Sequence, residues 1–199
     1  MPELPAYRPT KIPVGAKRVF KGVLFDVYQW EQELFDGSFT TFEMVNRPDG
    51  VVVFPILEDG SILLIKDSQP HREEILTAPT GGVDVGETPE EAARRELREE
   101  TGYEPQELHL VVTRPNSDRN FDTTLYVYIG YGCKKVAEPA EQPGEKIIPF
   151  PVSFDELVRL ADDGKQYRGS WLHAQIAERK HDSRLIEELR QLFSNKKPA

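Results

Sequence analysis

One stretch, Gly81 to Gly102, constrains the fold more than any other, because it spells out both ends of a helix. Thr88 is suited to the N-cap and Pro89 to the first helical position, and Glu91 completes a capping box with Thr88. The run EEAARRELREET consists of good helix formers, and Gly102 stands where a left-handed residue ends a helix. Glu96, Glu99 and Glu100 are spaced i, i+3 and i+4, so all three project from one face. Like charges at those spacings destabilise a helix by roughly 0.2–0.5 kcal/mol per pair. Taken alone, the triplet reads as a solvated acidic face with Arg95 and Glu99 as an ordinary pair. The alternative is a hard-cation site, since Mg²⁺ prefers carboxylate oxygens and keeps waters and substrate phosphates as its other ligands.

Around that helix the chain reads as strands first and helices last. RVFKGVLFDVYQWEQEL and SFTTFEMVN flank Asp36-Gly37, so residues 18–47 read as a hairpin. VVVFPIL and SILLIKD flank Glu58-Asp59-Gly60 as a second hairpin, and the nearly continuous apolar run Val51–Leu57 indicates a buried strand. Residues 68–87, with Pro70, Pro79, Gly81, Gly82 and Gly86, read as a long loop. Strands follow at Leu108–Thr113, Thr124–Tyr131 and Ile147–Val152, with a Pro/Glu-rich loop, EPAEQPGEK, between the last two. FDELVRLADD, closed by Gly164, then WLHAQIAERK and SRLIEELRQLF, read as helices. The Pro-rich residues 1–17 read as an extended arm and 195–199 as a frayed tail. The expectation is one domain over residues 18–194, a layered α/β or α+β structure.

Charge narrows the partners. With 25 Lys+Arg against 34 Asp+Glu the formal net charge is -9, which argues against nucleic acid, whose grip rests on clustered cations. A phosphorylated small molecule remains open if a metal ion supplies local positive charge. The one cysteine, Cys133, forms no internal disulfide, and no Cys/His cluster suggests zinc. No apolar run approaches the roughly 20 residues of a membrane span, and the N-terminus lacks the apolar core of a secretory signal. A reducing, cytoplasmic setting is expected.

Read on from Gly81, the sequence fits G-x5-E-x7-R-E-U-x-E-E-x-G-U, where U is apolar, at Gly81, Glu87, Arg95, Glu96, Leu97, Glu99, Glu100 and Gly102. Tyr103 departs from the usual aliphatic at the last position. Seven fixed positions would coincide by chance with a probability on the order of one in a million. This resembles the Nudix box. The resemblance extends over roughly residues 18–180, where the N-terminal hairpin, NRPDGVVVFP, SILLIKD and IIPFPVSFDELVRLADDGK are similar to the ADP-ribose pyrophosphatase branch. It implies a Nudix α/β/α sandwich with an N-terminal β-strand extension. The implied reaction is Mg²⁺-dependent (Mn²⁺ also possible) hydrolysis of the diphosphate of ADP-ribose or another nucleotide sugar. A different nucleotide (a triphosphate, a dinucleoside polyphosphate, NADH or FAD) and a non-catalytic nucleotide sensor are the alternatives.

Carried over position by position, the resemblance implies that Glu96, Glu99, Glu100 and the Thr80 carbonyl hold metal, and that Glu87 pairs with Arg95 to brace the loop against the helix. Glu145 matches a loop glutamate that contacts metal and is the first candidate general base. Pro143 stands where a second acid is common, which makes Glu141 the second candidate. A Gln-x-Arg stretch of the branch is here Asp67, Ser68 and Gln69, so its arginine is missing, and Arg72 is the candidate to reach the same phosphate. The acid of Glu-x-Pro-Ala-Gly is replaced in Thr77-Ala78-Pro79-Thr80-Gly81. Arg114 and Arg119, beside Pro115, are candidate phosphate or sugar contacts. The resemblance also implies a homodimer through the N-terminal strands, with Tyr28 and Trp30 as candidates to hold the base; packing on the hairpin face is the simpler account of both.

Overall fold

The computed structural model describes residues 7–116, 118–140, 144–165 and 167–194. In chain order its strands are β1 (Lys17–Lys21), β2 (Asp26–Glu33), β3 (Phe39–Asn46), β4 (Gly50–Leu57), β5 (Ile62–Gln69), β6 (Arg72–Thr77) and β7 (Thr80–Gly82), followed by helix α1 (Pro89–Thr101). Then come β8 (Tyr103–Glu104), β9 (Glu107–Pro115), β10 (Phe121–Asp122), β11 (Thr124–Lys135) and β12 (Lys146–Val152), and last α2 (Phe154–Asp163), α3 (Ser170–Arg179) and α4 (Ser183–Leu192).

The larger sheet runs β12-β5-β4-β11-β8, with β6 added on β5, β7 on β4 and β9 on β11. The strand expected to be buried, β4, lies at its centre, parallel to β11 and antiparallel to β5. Strand periodicity divides its side chains between two cores. Val51 and Val53 pack with Ala92, Ala93 and Leu97 of α1. Phe54 and Ile56 face the other way, into a core with Leu157, Trp171, Leu172 and Phe193. Helices therefore cover both faces of a mixed α/β sandwich.

Two readings change. The stretch 68–87 is not all loop. Arg72–Thr77 pair with β5 around a tight turn at Pro70-His71, and Thr80–Gly82 pair with the start of β4. Neither segment carries a clear period of its own; the neighbouring strands supply the order. The run from Arg18 is two strands rather than one. It breaks at Gly22, whose N–H donates to the Phe25 carbonyl at 3.0 Å. A Cβ at Gly22 would lie 2.5 Å from that carbonyl oxygen, so the turn needs glycine there. β1 returns to pair with β2, and the smaller sheet runs β1-β2-β3-β10.

Candidate metal and diphosphate site

The ends of α1 locate the site. Thr88 and Glu91 form the reciprocal capping box, with the Thr88 N–H donating to Glu91 at 2.8 Å. At the other end Gly102 adopts φ 77°. Its carbonyl accepts from the Val136 and Ala137 N–H groups, and the Ala140 N–H donates to the Glu99 carbonyl at 2.7 Å. A Cβ on Gly102 would sit 2.1 Å from the Ala137 oxygen. Glycine is thus required for the left-handed cap and again for the close approach, and the start of the Pro/Glu-rich loop is fastened to α1.

The acidic face of α1 looks at the β7 backbone. Glu96 lies so close over Gly81 that a Cβ there would come within 1.9 Å of its carboxyl carbon. Glu100 accepts the Thr80 N–H at 2.9 Å, while the Thr80 hydroxyl donates to the Val51 carbonyl and holds β7 in register. Burial pushes the Glu100 carboxyl up to about 9; the Thr80 N–H opposes this, and the charges of Glu96, Asp67 and Glu145 add to it. Glu96 is also raised by burial, against the lowering effect of Arg95. Glu99 is the more exposed of the three.

Arg95 is the cation of this face. Its Nε and Nη2 form a fork to Glu87, both at 2.9 Å, and Nη2 also donates to the Gly82 carbonyl at 2.9 Å. Its Nη1 donates to Glu96 at 2.7 Å and Glu99 at 3.3 Å. The fork holds the Glu87 carboxyl below its ordinary range. Glu87 and Arg95 therefore tie the loop 82–87 to the helix. Among the described residues no three acid, His or Cys side chains close into a metal-holding group, and Arg95 lies between Glu96 and Glu99. The donors gathered here are all oxygen: Glu96 and Glu99 share one arginine, and the buried Glu100 is met by the Thr80 N–H. That chemistry fits a hard cation that keeps water and phosphate as further ligands.

Across from α1, Glu145 just before β12 accepts from the Gln69 side-chain amide at 2.9 Å. Gln69 pairs with Arg72 across the β5–β6 hairpin, and Arg72 forms an ion pair with Asp67, which is itself buried. Gln69 and Asp67 are partners that sequence reasoning did not single out. The signal for them was present, since both stand where the resembling branch carries other residues. Glu141 lies outside the described residues.

The remaining candidates are elsewhere. Tyr28 is 1% exposed and packs with Ile12 and Met44, so this chain buries it rather than offering it to a base. Trp30 stacks on Phe42 with centroids 5.2 Å apart and donates to Gln32. Arg114 and Arg119 are exposed, on β9 and in the turn before β10. Arg114 is opposite Leu125, which is opposite Gly50 and through it Gly82, so it shares a row of the sheet with the end of β7.

A clasp formed by the N-terminal arm was also unforeseen. Arg8 donates to Asp49 at 2.6 and 2.8 Å and to Asp122 at 2.9 Å; Tyr7 donates to Asp49, and Thr10 to Asp122. Asp49 in turn accepts the Thr124 N–H, and its carbonyl accepts the Val83 N–H. Lone charges in a Pro-rich, aperiodic segment carry no local signal of such partners.

A cavity of about 570 Å³ opens on the flank of α1, lined by Arg94, Arg95, Arg98, Glu99, Glu104 and Ala140 among others. Its size suits a small ligand. It meets the acidic cluster only through Arg95 and Glu99.

The profile of the NUDIX domain matches residues 46–175. The ADP-ribose pyrophosphatase of Bacillus subtilis (strain 168) is 26% identical over 163 residues, covering 81% of this chain and 88% of that protein. The methanol dehydrogenase activator of Bacillus methanolicus is 24% identical over 156 residues, covering 77% and 84%. A solved structure described as an ADP compounds hydrolase superposes with a TM-score of 0.65 at 19% identity, covering 95% of this chain and 98% of that one.

Proposed function

This chain belongs to the Nudix family, and from that premise we propose that it hydrolyses the diphosphate bond of a nucleoside diphosphate linked to another moiety, with ADP-ribose or another nucleotide sugar first among the substrates. The observation that carries the reading is the facing arrangement of Glu96, Glu99 and Glu100 on α1, the β7 backbone at Thr80–Gly81, and Glu145 across from them.

Glu96, Glu99, Glu100 and the Thr80 carbonyl would hold Mg²⁺ or Mn²⁺, and Glu145 would contact it. Such an ion supplies neutralisation of the diphosphate oxygens and a more acidic water. Glu145 takes the proton of the attacking water as first candidate base, with Glu141 second. Gln69 fixes the Glu145 carboxylate through its amide. Water adds to one phosphorus, the bridging P–O bond breaks, and a nucleoside monophosphate and a sugar phosphate leave. Glu87 and Arg95 keep the loop registered on the helix while charge moves. Arg72 and, along the sheet row, Arg114 and Arg119 are the cations for phosphate and sugar.

A second reading keeps this chemistry on a different nucleotide, such as a triphosphate, a dinucleoside polyphosphate, NADH or FAD. It is favoured by Gln69, which stands in place of the branch's arginine and is engaged with Glu145 rather than left for substrate. A panel of these compounds, assayed with Mg²⁺ for released nucleoside monophosphate, decides between the two. Turnover of none of them by the wild type overturns both.

We further propose a homodimer through the N-terminal sheet. β1 is an edge strand, and Val19, Phe20, Val23, Leu24 and Phe25 around it are all exposed, an apolar strip that a monomer would leave wet. In such a pair Trp30 is the candidate to hold a base. Sedimentation of a single monomeric species at micromolar concentration refutes this. No helix among the described residues is long and apolar enough to cross a membrane, and the proposed setting is the cytoplasm.

A further inference from the structure

Arg72 and Asp67 belong to one hairpin, and the hairpin also carries Gln69. Gln69 is directly opposite Arg72 on β5, and Ser68 is opposite Lys146 on β12. Extending that register by one residue places Arg72, Gln69 and Glu145 in a row across three strands, and the Gln69–Glu145 hydrogen bond closes it. Arg72 thus starts from the same row as the proposed base.

Its side chain is held from behind. Asp67 is 8% exposed, and one of its carboxylate oxygens accepts from Arg72 Nη2. Arg72 Nη1 is buried and has no hydrogen-bond partner among the described residues, and the same is true of the other oxygen of Asp67. A buried guanidinium donor without an acceptor is unfavourable, and native structures rarely keep one without a use. The acceptor that suits a planar, fixed guanidinium is an anionic oxygen of phosphate or carboxylate. The charges of Asp67 and Glu145 both reach Glu100, which puts this hairpin and the α1 acids around one space.

We infer that Asp67 is a positioning residue, which fixes Arg72 so that its unpaired guanidinium donor serves a phosphate oxygen of the substrate beside Glu145. The inference rests on the hydrolase reading for the identity of the ligand. It predicts specificity for compounds with a diphosphate at the row Arg72–Gln69–Glu145, and it gives Asp67 no contact with the reacting atoms.

The test is a double-mutant cycle read by two signals: steady-state hydrolysis of ADP-ribose with Mg²⁺, and calorimetric binding of inorganic pyrophosphate with Ca²⁺. Asp67→Asn and Arg72→Gln are each expected to raise KM, and to weaken pyrophosphate binding, by about tenfold, with kcat within about twofold. The double variant is expected to be no worse than Arg72→Gln alone. Arg72→Lys, which keeps the charge and loses the fork, is expected to resemble Arg72→Gln, and it serves as the reading should Asp67→Asn not fold. An Asp67→Asn effect of equal size with and without Arg72, a fall in kcat at unchanged KM, or an Arg72→Lys protein with wild-type KM overturns the inference. If the wild type binds pyrophosphate but cleaves nothing, the hydrolase reading fails while the binding cycle still decides the role of Asp67. Absence of pyrophosphate binding by the wild type overturns both.

Discussion

Asp49 and Asp122 are buried to 2% and 1% exposure and Glu100 to 9%, yet the chain settles the two sets of acids in opposite ways. Around Asp49 and Asp122 it supplies everything: the Arg8 guanidinium, the Tyr7 and Thr10 hydroxyls and the Thr124 N–H. Around Glu96 and Glu100 it supplies one backbone N–H and a share of Arg95, and both carboxyls are raised by burial. The two sets are joined through β7, since Asp49 accepts the Val83 N–H while Thr80 donates to Glu100. A buried acid that the chain neutralises itself works as structure. One left short of positive charge, beside a backbone held close by glycine, is suited to an ion brought from outside.

That contrast can be broken most sharply at Glu100. Glu100→Gln keeps the acceptor for the Thr80 N–H and loses the charge, so turnover should fall by more than about a hundredfold while the protein stays folded. An enzyme assay beside a circular dichroism melt checks both halves; full activity would end the metal reading. At the clasp the loss should fall on stability. Arg8→Ala strands two buried carboxylates and should cost about 3–5 kcal/mol in urea denaturation. A cost below about 1 kcal/mol would mean that the arm is ornamental.

Cation and pH sharpen the comparison further. Mg²⁺ at about a hundred times its dissociation constant should stabilise the wild type by about 2.7 kcal/mol and leave Glu100→Gln unmoved. Without the ion, a carboxyl raised to about 9 from 4.5 stabilises the fold fully below pH 4.5, and that contribution is lost as pH rises through 9. Metal-free wild type should therefore weaken across that window relative to Glu100→Gln, as thermal melts at several pH values would reveal. A flat difference would show that Glu100 is not held as the structure has it. The smallest effect is at the helix entrance, where Thr88→Ala removes the cap and should cost about 1 kcal/mol in the same melts.

What could be read in advance divides along the same line. α1 was legible to its ends because Thr88, Pro89, Glu91 and Gly102 act on their immediate neighbours. The burial of β4, carried by its apolar run, and the glycine stop of α2 at Gly164 are local in the same way. β6 and β7 were not legible, because their order comes from pairing with β5 and β4 rather than from a period of their own. The face of α1 carrying the three glutamates followed from spacing, but its opposite wall did not. Gln69 and Glu145 are 76 positions apart and meet only because β5 and β12 are neighbours. Tyr28 was a candidate to hold a base on resemblance, with packing as the simpler account, and the arm's Ile12 packs against it. That arm read as featureless because Arg8 finds its partners far along the chain.

The clasp also sets an order of assembly. Arg8 and Asp122 are separated by 114 residues, and β10, which completes the smaller sheet beside β3, ends at the same Asp122. At a synthesis rate of about 5–20 residues per second, the emerging N-terminal hairpin waits on the order of ten seconds for the segment that locks it. Throughout that interval β3 is an open edge of the smaller sheet, because the β10 segment that pairs with it has yet to be made, and an open edge can accept a wrong strand.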